Sequence, residues 1–323
     1  MERHLRGGAV RMIAAMLISG SIGALVLVSG RAVEEVVFWR CLFGALVLLP
    51  VCVAMGWLRG EWMSRRVLAL SAFAGLLIVG NWLALFASYS RASIGVATAL
   101  YNTQPLMLIA LGALLFKERP RPARLGWLLL AFAGTVLLAE GHGEVAYAEG
   151  SYASGIALAL VAALLYAGAA LVVKRLDGVP PGLITLVQLG VGVMLLAPFA
   201  GIDALPAFTF TTWWCLVLLG VVHTGFMYVL LYGAIQKLPT VLVGVLSFVY
   251  PLSAIGMDWL VFGQRLTLVQ GAGVVMVLVS AAMVGLLRDR MAVRPALGLA
   301  DSATEARGDE LSARACQAGT SRE

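Results

Sequence analysis

Long apolar runs recur along the chain, and they constrain its fold more than any other feature. The first extends to about Val28, and others follow at roughly 35–56, 67–89, 94–116, 123–139, 152–173, 180–199, 211–234, 239–262 and 268–287. Each approaches the ~20 residues an α-helix needs to cross a bilayer, where backbone polar groups must be satisfied inside the protein. About ten such helices, in 323 residues that are 61% hydrophobic and 12% charged, describe an all-α membrane protein and exclude an ordinary soluble domain. Arg3, Arg6 and Arg11 ahead of the first run imitate a signal peptide, but the run is too long for a typical h-region and is expected to remain as a span.

Charge sets the orientation. The chain carries 23 Lys and Arg against 17 Asp and Glu, a net +6. With the amino terminus in the cytoplasm, sixteen Lys and Arg between Arg3 and Arg294 fall on the inner side, and only Arg31, Arg91 and Arg265 on the outer. The loop Glu140–Glu149, whose only formal charges are acidic, then lies outside. This asymmetry predicts a multi-pass protein of the inner (plasma) membrane with both termini cytoplasmic, and it assigns the basic excess to topology and not to nucleic acid. Cys41, Cys52, Cys215 and Cys316 are scattered without metal or disulfide spacing.

One segment occurs twice. Setting Pro105 on Pro251 (251 − 105 = 146) also places Leu100 on Leu246, Leu106 on Leu252, Ile109 on Ile255, Leu114 on Leu260, Phe116 on Phe262 and Arg119 on Arg265. Arg40, Gly44 and Pro50 fall on Gln188, Gly192 and Pro198 at a nearly equal shift (188 − 40 = 148). The expected organisation is therefore a first five-helix repeat over residues 1–140, a second over 150–287, and a polar cytoplasmic tail over 288–323 whose composition predicts disorder. Because each unit has an odd number of spans, the second is inverted relative to the first. Pro105 and Pro251 each remove a backbone hydrogen bond and free the carbonyl four residues earlier, at Tyr101 and Ser247. Paired interruptions of this kind point to a binding site and make Pro105 and Pro251 candidate hinges.

Polar residues at mid-span depth are the candidate cavity residues: Asn81, Tyr101, Gln104, His223 and Tyr250. Tyr101 and Gln104 share a helical face, as do Ser247 and Tyr250, and the two faces correspond under the repeat. Interhelical bonding is the alternative role for each, and it is the one assigned to Asn102 and Gln188. Trp82, Phe226 and Met227 read as lipid-facing or packing residues. His223 is the only histidine within a span and leaves room for proton coupling, against a neutral imidazole bonded to a carbonyl. Arg40 and Asp258 sit at matching depths, some 6–8 Å below the outer boundary at ~1.5 Å per residue, and are expected to pair as an outer gate; Glu34 and Glu35 compete for Arg40.

The chain resembles the EamA-type transporters of the drug/metabolite transporter superfamily. The residues that carry the resemblance are Phe38-Trp-Arg-Cys-Leu-Phe-Gly, Gly80-Asn-Trp-Leu-Ala-Leu-Phe-Ala-Ser-Tyr, Pro105 through Phe116-Lys-Glu-Arg, Tyr232-Gly-Ala-Ile-Gln-Lys, and Pro251 with Phe262-Gly-Gln-Arg. The resemblance implies a central cavity lined by the first, third, fourth, sixth, eighth and ninth helices, and export of amino acids, amines or other small metabolites, with import the alternative. It also allows Arg40 a purely structural role. The acid that often follows the fourth and ninth spans is Glu118 in the first half but Gln264 in the second.

No nucleotide-binding loop, zinc-protease or serine-hydrolase motif is present, so neither an enzyme nor an ATP-driven pump is expected. The expectation is a secondary transporter that needs no cofactor and works in a lipid bilayer on a small-molecule substrate, with a homodimer left open. A membrane sensor is the rival, disfavoured by a tail too short and polar for an output domain.

Overall fold

The computed structural model describes residues 2–60, 62–89, 91, 94–116, 122–139, 151–253, 256, 267–269, 271–280 and 283. Residues 1–281 form one compact unit and 282–323 a second, of which only residue 283 is described. The described residues are helical and contain no strand. In order the helices are α1 (Glu2–Ser19), α2 (Ile22–Ser29), α3 (Val33–Ala54), α4 (Arg65–Tyr89), α5 (Ile94–Tyr101), α6 (Gln104–Phe116), α7 (Pro122–Ala139), α8 (Ser151–Arg175), α9 (Pro181–Leu196), α10 (Phe210–Gly220), α11 (Met227–Lys237) and α12 (Thr240–Ser247). A further apolar helix, α13, spans Gly271–Ser280. Among the described residues six stretches are long and apolar enough to cross a membrane, and four shorter apolar helices accompany them; each overlaps one of the apolar runs predicted above.

Interruptions in four places shape the interior. The first run breaks at Gly20-Ser21 between α1 and α2, and the Leu17 carbonyl released there accepts from the Ser253 hydroxyl (2.6 Å). The Pro105 segment breaks between α5 and α6, where Thr103 folds its hydroxyl back onto the Leu100 carbonyl (2.7 Å). The Pro251 segment breaks at Phe248, after which the helix resumes to Ser253. Between α10 and α11 the chain instead forms a π-helix over Val221–Phe226. In each place a side chain or an altered backbone bond takes up polar groups that lipid could not satisfy.

The π-helix lies against α3. A Cβ on Gly220 would stand 2.4 Å from Phe43 Cβ and 3.1 Å from the Arg40 carbonyl, and one on Gly44 would stand 3.1 Å from the Gly220 carbonyl. The two backbones therefore touch at a glycine pair, which brings the polar side chains of the π-helix within reach of α3. Elsewhere α4 packs on α8 and α9, and α1 on α11.

This contact yields a stability prediction. Gly220→Val should cost about 1–3 kcal/mol through overpacking, measured by reversible unfolding in mixed micelles. Gly190→Ala, at a glycine with open space around it, should cost nothing. Equal effects of the two would remove the close approach from the account.

Candidate functional site

A cavity of about 60 Å³ lies where the interrupted helices meet. At roughly 10–15 Å³ per water-sized group, it holds a handful of them, enough for a small solute's polar head. Its wall comes from α1, α2, α4, α5, α6, α8, α11 and the continuation of α12, with one residue from α3 and none from α7 or α13. Aromatic rings dominate it: Trp82, Phe86 and Tyr89 from one face of α4, Tyr101 and Tyr166 from α5 and α8, and Tyr228 and Tyr250 from the last two elements. Tyr101 meets Tyr166 edge to face at 6.3 Å, and Trp82 meets Tyr228 likewise at 5.4 Å.

Arg40 is the α3 residue in this wall. It is fully buried, and its guanidinium lies 4.1 Å over the Trp82 ring and 5.7 Å from that of Phe86. Its Nε donates to Thr224 Oγ1 (3.0 Å), and the Thr224 hydroxyl donates in turn to the Leu219 carbonyl (2.7 Å) at the end of α10. A charge at membrane depth costs ~2.5–3.5 kcal/mol on insertion scales. A cation–π contact returns up to about 2 kcal/mol when desolvated, which offsets much of that cost. Among the described residues neither Nη atom has a hydrogen-bond partner. Among the described residues no carboxylate answers the charge: Glu35 pairs with Arg31 (2.6 Å), and Glu34, Asp177 and Asp203 are exposed.

The other expected residues distribute as follows. Tyr101, Gln104 and Tyr250 face the cavity beside Arg40, and Gln104 Oε1 is buried without a partner. Asn81 stands behind the wall: its Nδ2 donates to the Ala162 carbonyl (2.7 Å) and to the Tyr101 hydroxyl (3.3 Å), tying α4 to α8 and steadying a wall residue. His223 is also set back. Its Nδ1 faces the Leu218 carbonyl (3.1 Å) and therefore carries a proton, while Nε2 faces the Ser21 hydroxyl (2.7 Å) at the α1–α2 break. Pro105 and Pro251 are buried just beyond their helix breaks, and Asp258 lies outside the described residues. Gln188 joins α9 to α11 by accepting from Tyr232 (2.5 Å), and Asn102 is buried with its Nδ2 unpartnered.

The three residues read as lipid-facing or packing divide between those two roles. Trp82 and Met227 are buried in the cavity wall, whereas the third of that group, Phe226, is 57% exposed. Trp82 is drawn inward by both ends of its chemistry, since its ring face takes Arg40 and its Nε1 donates to the Tyr228 hydroxyl (2.9 Å). Sequence reasoning also passed over Phe86, Tyr89, Tyr166 and Tyr228. The overlooked signal was spacing: Trp82, Phe86 and Tyr89 repeat at four and three residues with polar-tipped rings at both ends.

The chain matches the EamA-like transporter family over residues 6–139 and again over 153–286. It is 30% identical over 274 residues to a protein of Bacillus subtilis (strain 168) named uncharacterized transporter YxxF, covering 85% of this chain and 88% of that one. It is 28% identical over 282 residues to an uncharacterized transporter of Archaeoglobus fulgidus, covering 85% and 95%. A crystal structure of a protein 20% identical in sequence has the same fold, with a TM-score of 0.70 over 87% of this chain and 98% of its own.

The Arg40–Thr224 bond generates a second stability prediction. Thr224→Val orphans a buried charged donor and should cost about 1–3 kcal/mol in micelle unfolding. Thr185→Val, which removes only a bond to its own helix at Pro181 (2.9 Å), should cost clearly less. Equal losses would mean that the α3–π-helix bond holds nothing.

Proposed function

The chain belongs to the EamA-like transporter family, and on that premise we propose that it is a secondary transporter exporting a small amino acid or a related metabolite by alternating access. The observation that carries this reading is the polar-tipped aromatic cavity, closed around by helices that are interrupted where they meet it. A broken helix gives each half its own freedom to tilt, and the breaks at Gly20-Ser21, at Asn102-Thr103 and at Phe248 supply that freedom on three sides of the cavity. In this account residues 1–140 and 150–287 are inverted repeats that rock about the site, with Pro105 and Pro251 as hinges. The basic excess of the loops assigned to the inner side supports a cytoplasmic location for both termini.

Proton coupling through His223 fits the local hydrogen bonds in either charge state. With the imidazole neutral, Nδ1–H donates to the Leu218 carbonyl and Nε2 accepts from the Ser21 hydroxyl. With the imidazolium, Nε2–H donates to Ser21 Oγ, whose own proton turns to the Ile18 carbonyl (3.2 Å). Only a hydroxyl rotation separates the two arrangements. The nearest charge in this network is Arg40, bonded to the neighbouring Thr224.

The test is counterflow in proteoliposomes loaded with unlabelled amino acids, with uptake of labelled L-valine followed across pH 5–8. The reading expects saturable uptake above protein-free vesicles, and a pH dependence that flattens in His223→Gln while the variant stays folded. No uptake of labelled L-valine against any of the loaded amino acids would refute transport as proposed here. Unchanged pH dependence in His223→Gln would return His223 to a structural role.

A further inference from the structure

The cavity distinguishes among the solutes the proposed function allows, and the inference that follows rests on that reading. We propose that it binds its substrate by a carboxylate, held in the fork of Arg40, and that simple amines are excluded. The guanidinium has five N–H donors in a plane. One is used on Thr224, which fixes the rotation of the group, and stacking on Trp82 fixes the plane. The four N–H groups of Nη1 and Nη2 find no acceptor among the described residues, in a fully buried side chain of the cavity wall. A purely structural arginine has no use for that arrangement, because orphaned charged donors are what burial penalises most. A carboxylate accepts two parallel N–H bonds from such a fork and neutralises the charge at the same moment.

The same cavity argues against a cationic ligand. A ring of aromatic side chains ordinarily offers its faces to an ammonium group. Here the faces of Trp82 and Phe86 are already occupied by Arg40, and a second cation would meet a fixed like charge with no described acid in the wall to relieve it. Gln104 adds a second point of recognition. Its Oε1 is a buried acceptor without a partner, suited to an N–H group next to a carboxylate, as in an α-amino acid. The prediction is therefore a solute with an obligatory carboxylate and a favourable, not obligatory, neighbouring N–H.

The purified protein in lipid nanodiscs, at constant chloride, would be titrated calorimetrically with isobutyrate and L-valine, and with the uncharged and cationic counterparts isobutyramide and isobutylamine. Both carboxylates should bind at least tenfold more tightly than the amide or the amine. Arg40→Lys keeps the charge without the fork and should weaken carboxylate binding roughly tenfold. Arg40→Met, if it folds, should lose the preference altogether. Binding of the amide or the amine as tight as that of isobutyrate overturns the proposal, as does a lack of binding by either carboxylate or a preference undiminished in Arg40→Lys. Counterflow with the same four solutes separates this from the transport reading. Movement without carboxylate preference sinks the Arg40 assignment alone, and carboxylate binding without movement of any solute sinks transport alone.

Discussion

A guanidinium held on an indole face, deep in a chain built of apolar helices, is the constraint around which the rest of this interior is arranged. Arg40 belongs to α3, Trp82 to α4 and Thr224 to the π-helix, so one cation draws together three separate parts of the bundle. Each part shows a local adaptation to it. α3 approaches the π-helix backbone to backbone through Gly44 and Gly220, α4 turns Trp82 away from lipid, and the π-helix presents a threonine whose hydroxyl accepts from arginine while donating to a carbonyl five residues back. An α-helix would direct these bonds elsewhere, and π-helical turns are found disproportionately at functional sites.

The helix interruptions serve the same region by a different route. The Leu17, Leu100 and Leu219 carbonyls each accept a side-chain hydroxyl, from Ser253, Thr103 and Thr224 respectively. Such bonds cost little to exchange in a membrane, where a polar pair averages about 0.6 kcal/mol. A site walled by helices joined this way can change shape without unfolding any of them. His223 and Ser21 connect two of the interruptions directly, so protonation there would be felt at the α1–α2 break.

Much of the architecture was legible in the residues. Apolar length alone located the helices, because a bilayer demands continuous runs, and the repeated proline marked where the α5–α6 and α12 segments break. Tyr101, Gln104 and Tyr250 stood out because polar groups at mid-span depth are expensive, and they line one cavity while Asn81 and His223 of the same set stand behind it; Arg40, read from the sequence as half of an outer gate, lines that cavity too. Trp82 and Met227 did not stand out, since large apolar side chains cover most membrane helices and nothing in composition tells an inward ring from an outward one. The π-helix was invisible for a related reason: Val221–Phe226 has no sequence signature, and its Thr224 meets Arg40 of α3 only in the folded bundle. The role of Glu35 was misleading for geometric reasons. It shares a helix with Arg40, but its partner is Arg31, four residues back, at the end of the helix where an acid also suits the helix dipole.

The central claim is that the Nη atoms of Arg40 are kept free for a ligand. A structure of the protein with L-valine bound in a nanodisc examines it directly. The account predicts both carboxylate oxygens at about 2.7–2.9 Å from Nη1 and Nη2, with the guanidinium still stacked on Trp82. A carboxylate of the protein itself in that fork, from Asp258 or any other residue, or valine density away from Arg40, would contradict it.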